Sequence, residues 1–153
     1  MHAFSRRLRE GPLLCDGGMG SFLYARGVEL DPCFDALNLT QPRLVQSVHT
    51  EYIAVGADVI ETNTFGANRF KLAAFGLDGD ARRINTQGAR VARDARESSG
   101  RDVFVLGSLG PLGRYLAPLG TGRRTRRWRP SASRPRRSWR AAWTRSSPRP
   151  SPT

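Results

Sequence analysis

The segment Asp16-Gly17-Gly18 places a carboxylate beside backbone amides that no side chain shields. A carboxylate can hold an ammonium group, and exposed amide N–H groups can hold a carboxylate. These three residues therefore have the chemistry to bind both charged ends of an amino acid. Spacing alone leaves one alternative open, in which Asp16 caps the turn that follows it.

Two later turns carry the same kind of chemistry. Residues 62–66 include Asn63 and Thr64, and residues 107–113 include Ser108. Each of the three turns follows a short apolar run that is typical of a buried strand. Because the carboxyl ends of parallel strands lie on one face of a sheet or barrel, the pattern predicts one ligand site. Asn63 and Thr64 have an alternative role as turn formers.

The remaining reactive side chains have simpler interpretations. Glu61 is within a predicted strand, where it could be a satisfied interior acid, and His49 has a surface or packing role on an amphipathic helix. His2 belongs to a terminus predicted to be disordered. Cys15 and Cys33 show no metal-ligand spacing and are expected to be buried, reduced thiols. The glycines do not form the G-x-G-x-x-G pattern of a nucleotide loop.

The elements that must position the turns alternate along the chain. Apolar runs predict strands at residues 13–15, 57–62 and 103–106, and helical periodicity or glycine stops predict helices at 21–26, 41–55, 67–75 and 80–97. The alternation predicts an α/β fold of parallel βα units.

Two of these helices have a clear apolar face. In helix 41–55 that face consists of Leu44, Val45, Val48, Tyr52 and Val55. In helix 80–97, which Asp80 is expected to cap, it consists of Ala81, Ile84, Gly88, Val91, Ala92 and Ala95.

Charge separates the last 33 residues from the rest of the 153-residue chain. Residues 1–120 contain 14 Lys plus Arg and 13 Asp plus Glu, whereas residues 121–153 contain 11 Arg, no acid and five prolines. This tail has no Leu, Ile, Val, Phe, Tyr or Met and is predicted to be disordered. An alternative is nucleic-acid binding, in which its arginines contact phosphates and Trp128, Trp139 and Trp143 stack on bases.

The tail also has the composition of GC-rich DNA translated in the wrong frame. If each new codon starts at an old third base, residues 143–153 permit Val-Asp-Ala-Val-Val-Ala-Glu-Thr-Phe-Thr-Asp. That segment is typical of a strand ending in an acid. The hypothesis of a frameshift is tested by the nucleotides after codon 120.

Four segments together resemble the homocysteine S-methyltransferase family. They are residues 14–20 (LCDGGMG), 37–42 (LNLTQP), 56–68 (GADVIETNTFGAN) and 107–113 (GSLGPLG), in this order over about 110 residues. The family includes the homocysteine-binding module of cobalamin-dependent methionine synthase and enzymes that use betaine or S-methylmethionine. The resemblance leaves the methyl donor open among methylfolate with cobalamin, S-methylmethionine and betaine.

The resemblance implies a (β/α)₈ TIM barrel that transfers a methyl group to the thiol of homocysteine, giving methionine. It implies that Asp16 holds the amino group, that Gly17 and Gly18 flank the amino acid, and that the pocket is lined by Asn63, Thr64, Phe65 and Ser108. It also implies a zinc ion on three cysteine thiolates, which keeps the homocysteine sulfur deprotonated.

The chain departs from the family at the metal. The zinc cysteines of the family come from later strands, and no segment here matches them. From the matched segments and the composition of the tail, we expect a disordered terminus at 1–11, a partial barrel of three βα units at 12–120 and a disordered tail at 121–153. We expect neither a zinc site nor a catalytic residue, and hence a truncated, inactive fragment.

A non-catalytic amino-acid-binding module is the third alternative. No apolar run approaches the length of a membrane helix or a secretory signal, so a soluble, cytoplasmic protein is expected.

Overall fold

The computed structural model describes residues 3–29, 33–115 and 118–120. Contacts divide the chain into two units, Met1–Tyr115 and Leu116–Thr153. The predicted tail, with its alternatives of disorder, frameshift and nucleic-acid binding, lies outside the described residues. In the first unit, the helices are α1 Ala3–Glu10, α2 Met19–Ala25, α3 Leu37–Thr40, α4 Pro42–Ala54, α5 Arg69–Leu72 and α6 Ala81–Ser99, and the strands are β1 Val59–Glu61 and β2 Phe104–Leu106.

The strands form a parallel sheet, as the alternating pattern predicts. Val59, Ile60 and Glu61 pair with Phe104, Val105 and Leu106 in that register. On the other side of β1, Cys15 forms a single parallel bridge with Val59. The chain therefore has an α/β fold with a small parallel sheet.

The first predicted strand is reduced to that bridge for two reasons. Leu14 donates its backbone N–H to the carboxylate of Asp58 at 3.0 Å instead of to a neighbouring strand. At the other end, the Asp16 side chain takes the N–H of Glu61, at 3.1 and 3.0 Å to its two oxygens. On both sides of Cys15, a side-chain carboxylate thus accepts a backbone N–H group that would otherwise bond to the carbonyl of a neighbouring strand.

Helix α4 confirms the predicted helix but not all of its predicted face. Pro42 occupies the first turn, where its missing N–H has no partner to lose. Val45 and Val48 are buried as predicted, whereas Val55 is 79% exposed. Val55 is the residue after the last helical one, so its side chain has left the helical period. Ile53 is buried instead.

Helix α6 confirms its predicted buried face through Ile84, Gly88, Val91, Ala92 and Ala95. Asp80 stands at the N-cap position, but its side chain forms no capping hydrogen bond. Its carboxylate accepts a hydrogen bond from Arg83 at 2.7 Å instead. The helix therefore begins where the sequence predicts, without the predicted side-chain cap.

The amino-terminal segment departs from the expected disorder, because α1 is helical. The Phe4 ring packs edge-on against Phe104 with the ring centroids 5.2 Å apart. Arg7 lies 3.7 Å from the carboxylate of Asp58. These two contacts tie α1 to the strands, and neither can be read from the local sequence.

His49 is a packing residue, in line with one of its two predicted roles. Its side chain is fully buried, and neither ring nitrogen has a hydrogen-bond partner among the described residues. Burial lowers the pKa of His49 from 6.5 to about 4. The folded chain therefore favours the neutral ring. The contribution of His49 to the free energy of unfolding is complete above the ordinary pKa of 6.5 and is lost as the pH falls towards about 4.

We expect the free energy of unfolding to fall by roughly 2–3 kcal/mol between pH 7.5 and 4.5 through His49 alone. Urea titrations at the two pH values measure the fall. The His49→Leu variant keeps every carboxylate and supplies the control, because its fall should be smaller by this amount. Equal falls in both proteins would contradict the assignment.

No helix in the part of the chain that the structure describes is long and apolar enough to cross a membrane.

Candidate functional site

All seven residues predicted to bind a ligand line one open cleft of about 400 Å³. The three turns meet there because the strand ends of a parallel sheet share one edge. The cleft is lined by Asp16, Gly17, Gly18, Met19, Gly20, Phe34, Asp35, Glu61, Thr62, Asn63, Thr64, Phe65, Gly66 and Ser108.

Asp16 is at the base of the first turn and is half-buried. Both of its carboxylate oxygens accept the Glu61 N–H, at 3.1 and 3.0 Å. Burial, followed by the nearby charge of Glu61, raises the pKa of Asp16, although the Glu61 N–H opposes the shift. Each carboxylate oxygen has two lone pairs, so Asp16 can still accept a hydrogen bond from a ligand.

The glycines of the first turn let other side chains lie close to its backbone. A Cβ at Gly17 would lie 2.9 Å from the Tyr52 hydroxyl, and a Cβ at Gly18 would lie 2.6 Å from the hydroxyl of Ser21. Helix α2 begins just beyond, at Met19. The turn therefore stays close to α2 and α4 while remaining open towards the cleft.

The second turn depends on a buried amide pair. Asn38 Nδ2 donates to the backbone oxygen of Asn63 at 2.6 Å, and Asn63 Nδ2 donates to Asn38 Oδ1 at 3.3 Å. Asn63 Nδ2 also donates to the Phe34 carbonyl at 2.8 Å. Both asparagines are buried, with exposed fractions of 0% for Asn38 and 7% for Asn63. These bonds fix the orientation of the Asn63 amide.

Hydroxyl groups connect the second turn to the third. Thr62 Oγ1 and Thr64 Oγ1 lie 2.6 Å apart and share a hydrogen bond. Thr62 Oγ1 accepts the Ser108 N–H at 3.0 Å, and Thr64 Oγ1 donates to the Ser108 carbonyl at 2.9 Å. Gly110 adds a backbone bond to the Phe65 carbonyl at 3.0 Å. The two turns therefore form one hydrogen-bonded unit.

Three residues important to this geometry are absent from the predicted site. Asn38 holds Asn63, and Asp35 accepts the Gly66 N–H at 2.9 Å. Gly88 on α6 leaves room for the pair, since a Cβ there would lie 2.7 Å from both Asn38 Nδ2 and Thr64 Cγ2. Asn38 belongs to the segment LNLTQP that carries the family resemblance, but that segment does not reveal its partner.

The charge in the cleft is negative. Asp16, Asp35 and Glu61 line it, and no Lys, Arg or His does so among the described residues. Burial raises the pKa of Asp35, although the Gly66 N–H and the charge of Lys71 oppose the shift. The cleft is therefore suited to a ligand with a cationic group.

The cysteines are too few for a three-thiolate metal site. The chain contains only two of them. Cys33 is buried as predicted, but Cys15, which forms the single bridge to Val59, is exposed. Partial desolvation raises the pKa of both thiols, and for Cys15 the charge of Asp16 adds to the shift. Two cysteines cannot supply the three thiolates of such a site.

Comparison with known proteins identifies a family for the chain. A family model described as Homocysteine S-methyltransferase matches residues 13–140, extending past the boundary predicted near residue 120. The methionine synthase of Mycobacterium tuberculosis is 35% identical over 122 residues, and that of Mycobacterium leprae is 34% identical over 122 residues. Each alignment covers 74% of this chain and 10% of the relative.

Solved structures give the same result. The metallated form of the homocysteine methyltransferase MmuM from Escherichia coli superimposes with a TM-score of 0.63 and 30% identity, covering 72% of this chain and 42% of that one. Its oxidized form superimposes with a TM-score of 0.60 and 33% identity, covering 66% and 38%. The chain thus spans less than half the length of these relatives.

Proposed function

The chain belongs to the homocysteine S-methyltransferase family, and on that basis we propose that its cleft binds homocysteine, the methyl acceptor of the reaction. The observation that carries the proposal is the meeting of Asp16, Asn63 and Ser108 in one cleft. Their positions in the sequence are far apart, and only the parallel strands bring them together.

The chemistry of the cleft supports an amino acid as the ligand. Asp16 supplies a negative charge for the ammonium group, and the Gly18 amide is suited to the carboxylate, whereas the Gly17 amide faces the Tyr52 hydroxyl. Asn63, Thr64, Phe65 and Ser108 line the remaining space. The negative charge of the cleft disfavours a ligand that has a carboxylate and no ammonium group.

We further propose that residues 12–120 correspond to the first three βα units of a (β/α)₈ barrel. The parallel sheet, the position of the cleft at its carboxyl edge and the similarity to MmuM support this assignment. A barrel of this kind takes roughly 250 residues, so three units leave strand edges to be paired.

The parent reaction is methyl transfer from a donor to the thiol of homocysteine, giving methionine. The zinc ion implied by the family resemblance activates that thiol when it is bound. The residues of this chain do not fit the ion, because two cysteines cannot supply three thiolate ligands. We therefore assign to this chain the binding of homocysteine and no step of methyl transfer. Separately, we propose that the chain acts in the cytoplasm.

Isothermal titration calorimetry of the whole chain with reduced homocysteine tests the proposal. We expect saturable binding with a dissociation constant on the order of 1 mM, about −4 kcal/mol, since the sulfur has no metal ligand. Propanethiol, which has the thiol but neither charged group, is the matched control and should not bind. Equal heats for the two thiols, or none for homocysteine, would refute the proposal.

A further inference from the structure

Glu61 is in contact with both of the other turns of the cleft. It is the last residue of β1, and its N–H donates to the carboxylate of Asp16. Its own side chain accepts a hydrogen bond from the Ser108 hydroxyl, with Oε2 and Oγ 2.9 Å apart. The Glu61 carboxylate is therefore held at a defined place in the cleft, on the side of the third turn.

Two of the three carboxylates in the cleft have no cation beside them in the described contacts. Asp35 is near the charge of Lys71, whereas the charge that acts on Asp16 is that of Glu61. Both of these acids line the cleft, in which no basic side chain takes part among the described residues. A ligand cation between them would be attracted by both and would relieve their mutual repulsion.

We infer that Glu61 is a second carboxylate partner of the ligand's ammonium group and makes the cleft selective for thiols that carry an α-amino group. The inference rests on the proposed binding of homocysteine and adds a residue to it. Asp16 and Glu61 receive the ammonium group from two sides. Ser108 acts as a positioning residue, because its hydroxyl holds Oε2 of Glu61.

A purely structural role for Glu61 makes a different prediction. If Glu61 only accepts the hydroxyl of Ser108, a neutral acceptor of the same length should serve equally well. Glutamine is such an acceptor and differs from glutamate in charge. The Glu61→Gln variant therefore separates the charge from the hydrogen bond.

The test compares two ligands by calorimetry, homocysteine and 4-mercaptobutanoate, which lacks only the amino group. For Glu61→Gln we expect about a fivefold weaker affinity for homocysteine, the size of a partly exposed ion pair. The affinity for 4-mercaptobutanoate should stay the same or rise, because a repulsive charge has been removed. Selectivity between the two ligands is the readout that a structural role would not change.

Glu51→Gln is the matched control, since Glu51 lies on α4 and pairs with Arg26 outside the cleft. It should leave both affinities unchanged. If Glu61→Gln does not fold by circular dichroism, Glu61→Leu provides a second neutral variant whose side chain suits a strand end.

Equal weakening of both ligands, or unchanged affinity for homocysteine in a folded neutral variant, would overturn the role of Glu61 while leaving homocysteine binding intact. Failure of the unmodified chain to bind homocysteine would instead refute the proposed function, and the role of Glu61 with it.

Discussion

Asp16→Asn is expected to weaken homocysteine binding roughly tenfold, the lower range for a hydrogen bond to a charged group, because Asp16 is only half-buried. Asparagine keeps the size of the side chain and one acceptor oxygen for the Glu61 N–H. What it removes is the negative charge that meets the ammonium group. Calorimetric titration of the variant and of the unmodified chain measures the difference.

The exposed Asp78 provides the control, because Asp78→Asn makes the same change outside the cleft. Its affinity for homocysteine should equal that of the unmodified chain. Because burial raises the pKa of Asp16, affinity in the unmodified chain should also begin to fall at a higher pH than an ordinary aspartate would give. An affinity that is insensitive to Asp16→Asn would show that the ammonium group binds elsewhere.

Asn38→Ala is expected to lower the free energy of unfolding by about 4 kcal/mol, combining unsatisfied buried groups with a cavity. The substitution removes the amide group that donates a hydrogen bond to the Asn63 carbonyl at 2.6 Å. It also removes one of the oxygens that accept a hydrogen bond from the Asn63 side chain. Little water reaches either group, since the exposed fraction is 0% for Asn38 and 7% for Asn63. This is a large part of the 5–15 kcal/mol that stabilises a typical domain.

Urea unfolding followed by circular dichroism measures the loss. Thr86→Ala, an exposed change on α6, is the control and should shift the free energy by less than about 0.5 kcal/mol. A loss below about 1 kcal/mol for Asn38→Ala would mean that the amide pair contributes no more than an average hydrogen bond.

The features that could be predicted from the sequence are those with a local cause. Helix α6 follows from apolar residues at helical spacing, although Gly100, which adopts a φ of 64°, ends it at Ser99, two residues beyond the predicted end. The helix that begins at Pro42 follows from a proline that suits a first turn. The three turns of the cleft follow from polar residues and glycines after apolar runs.

The features that could not be predicted depend on contacts between distant segments. Asn38 meets Asn63 across 25 residues of sequence, and Asp35 meets Gly66 across 31. The shortening of the first strand depends on Asp58 and Asp16, whose carboxylates accept backbone N–H groups of other segments. The periodicity of apolar residues in the sequence does not predict these contacts.

Glu61 shows the same limit at the level of function. As part of an apolar run, it has the sequence context of an interior acid. Its carboxylate instead lines the cleft and is hydrogen-bonded to Ser108, 47 residues later. Only the parallel register of β1 and β2 places the two side chains together.

Mapping of amide chemical shifts by NMR during titration with homocysteine tests most directly whether the three turns form one binding site. We predict that the backbone amides of Gly17, Asn63 and Ser108 shift together with a single dissociation constant, while amides on the exposed face of α6 do not move. Shifts confined to one turn, or spread over the exposed face of α6, would contradict the account.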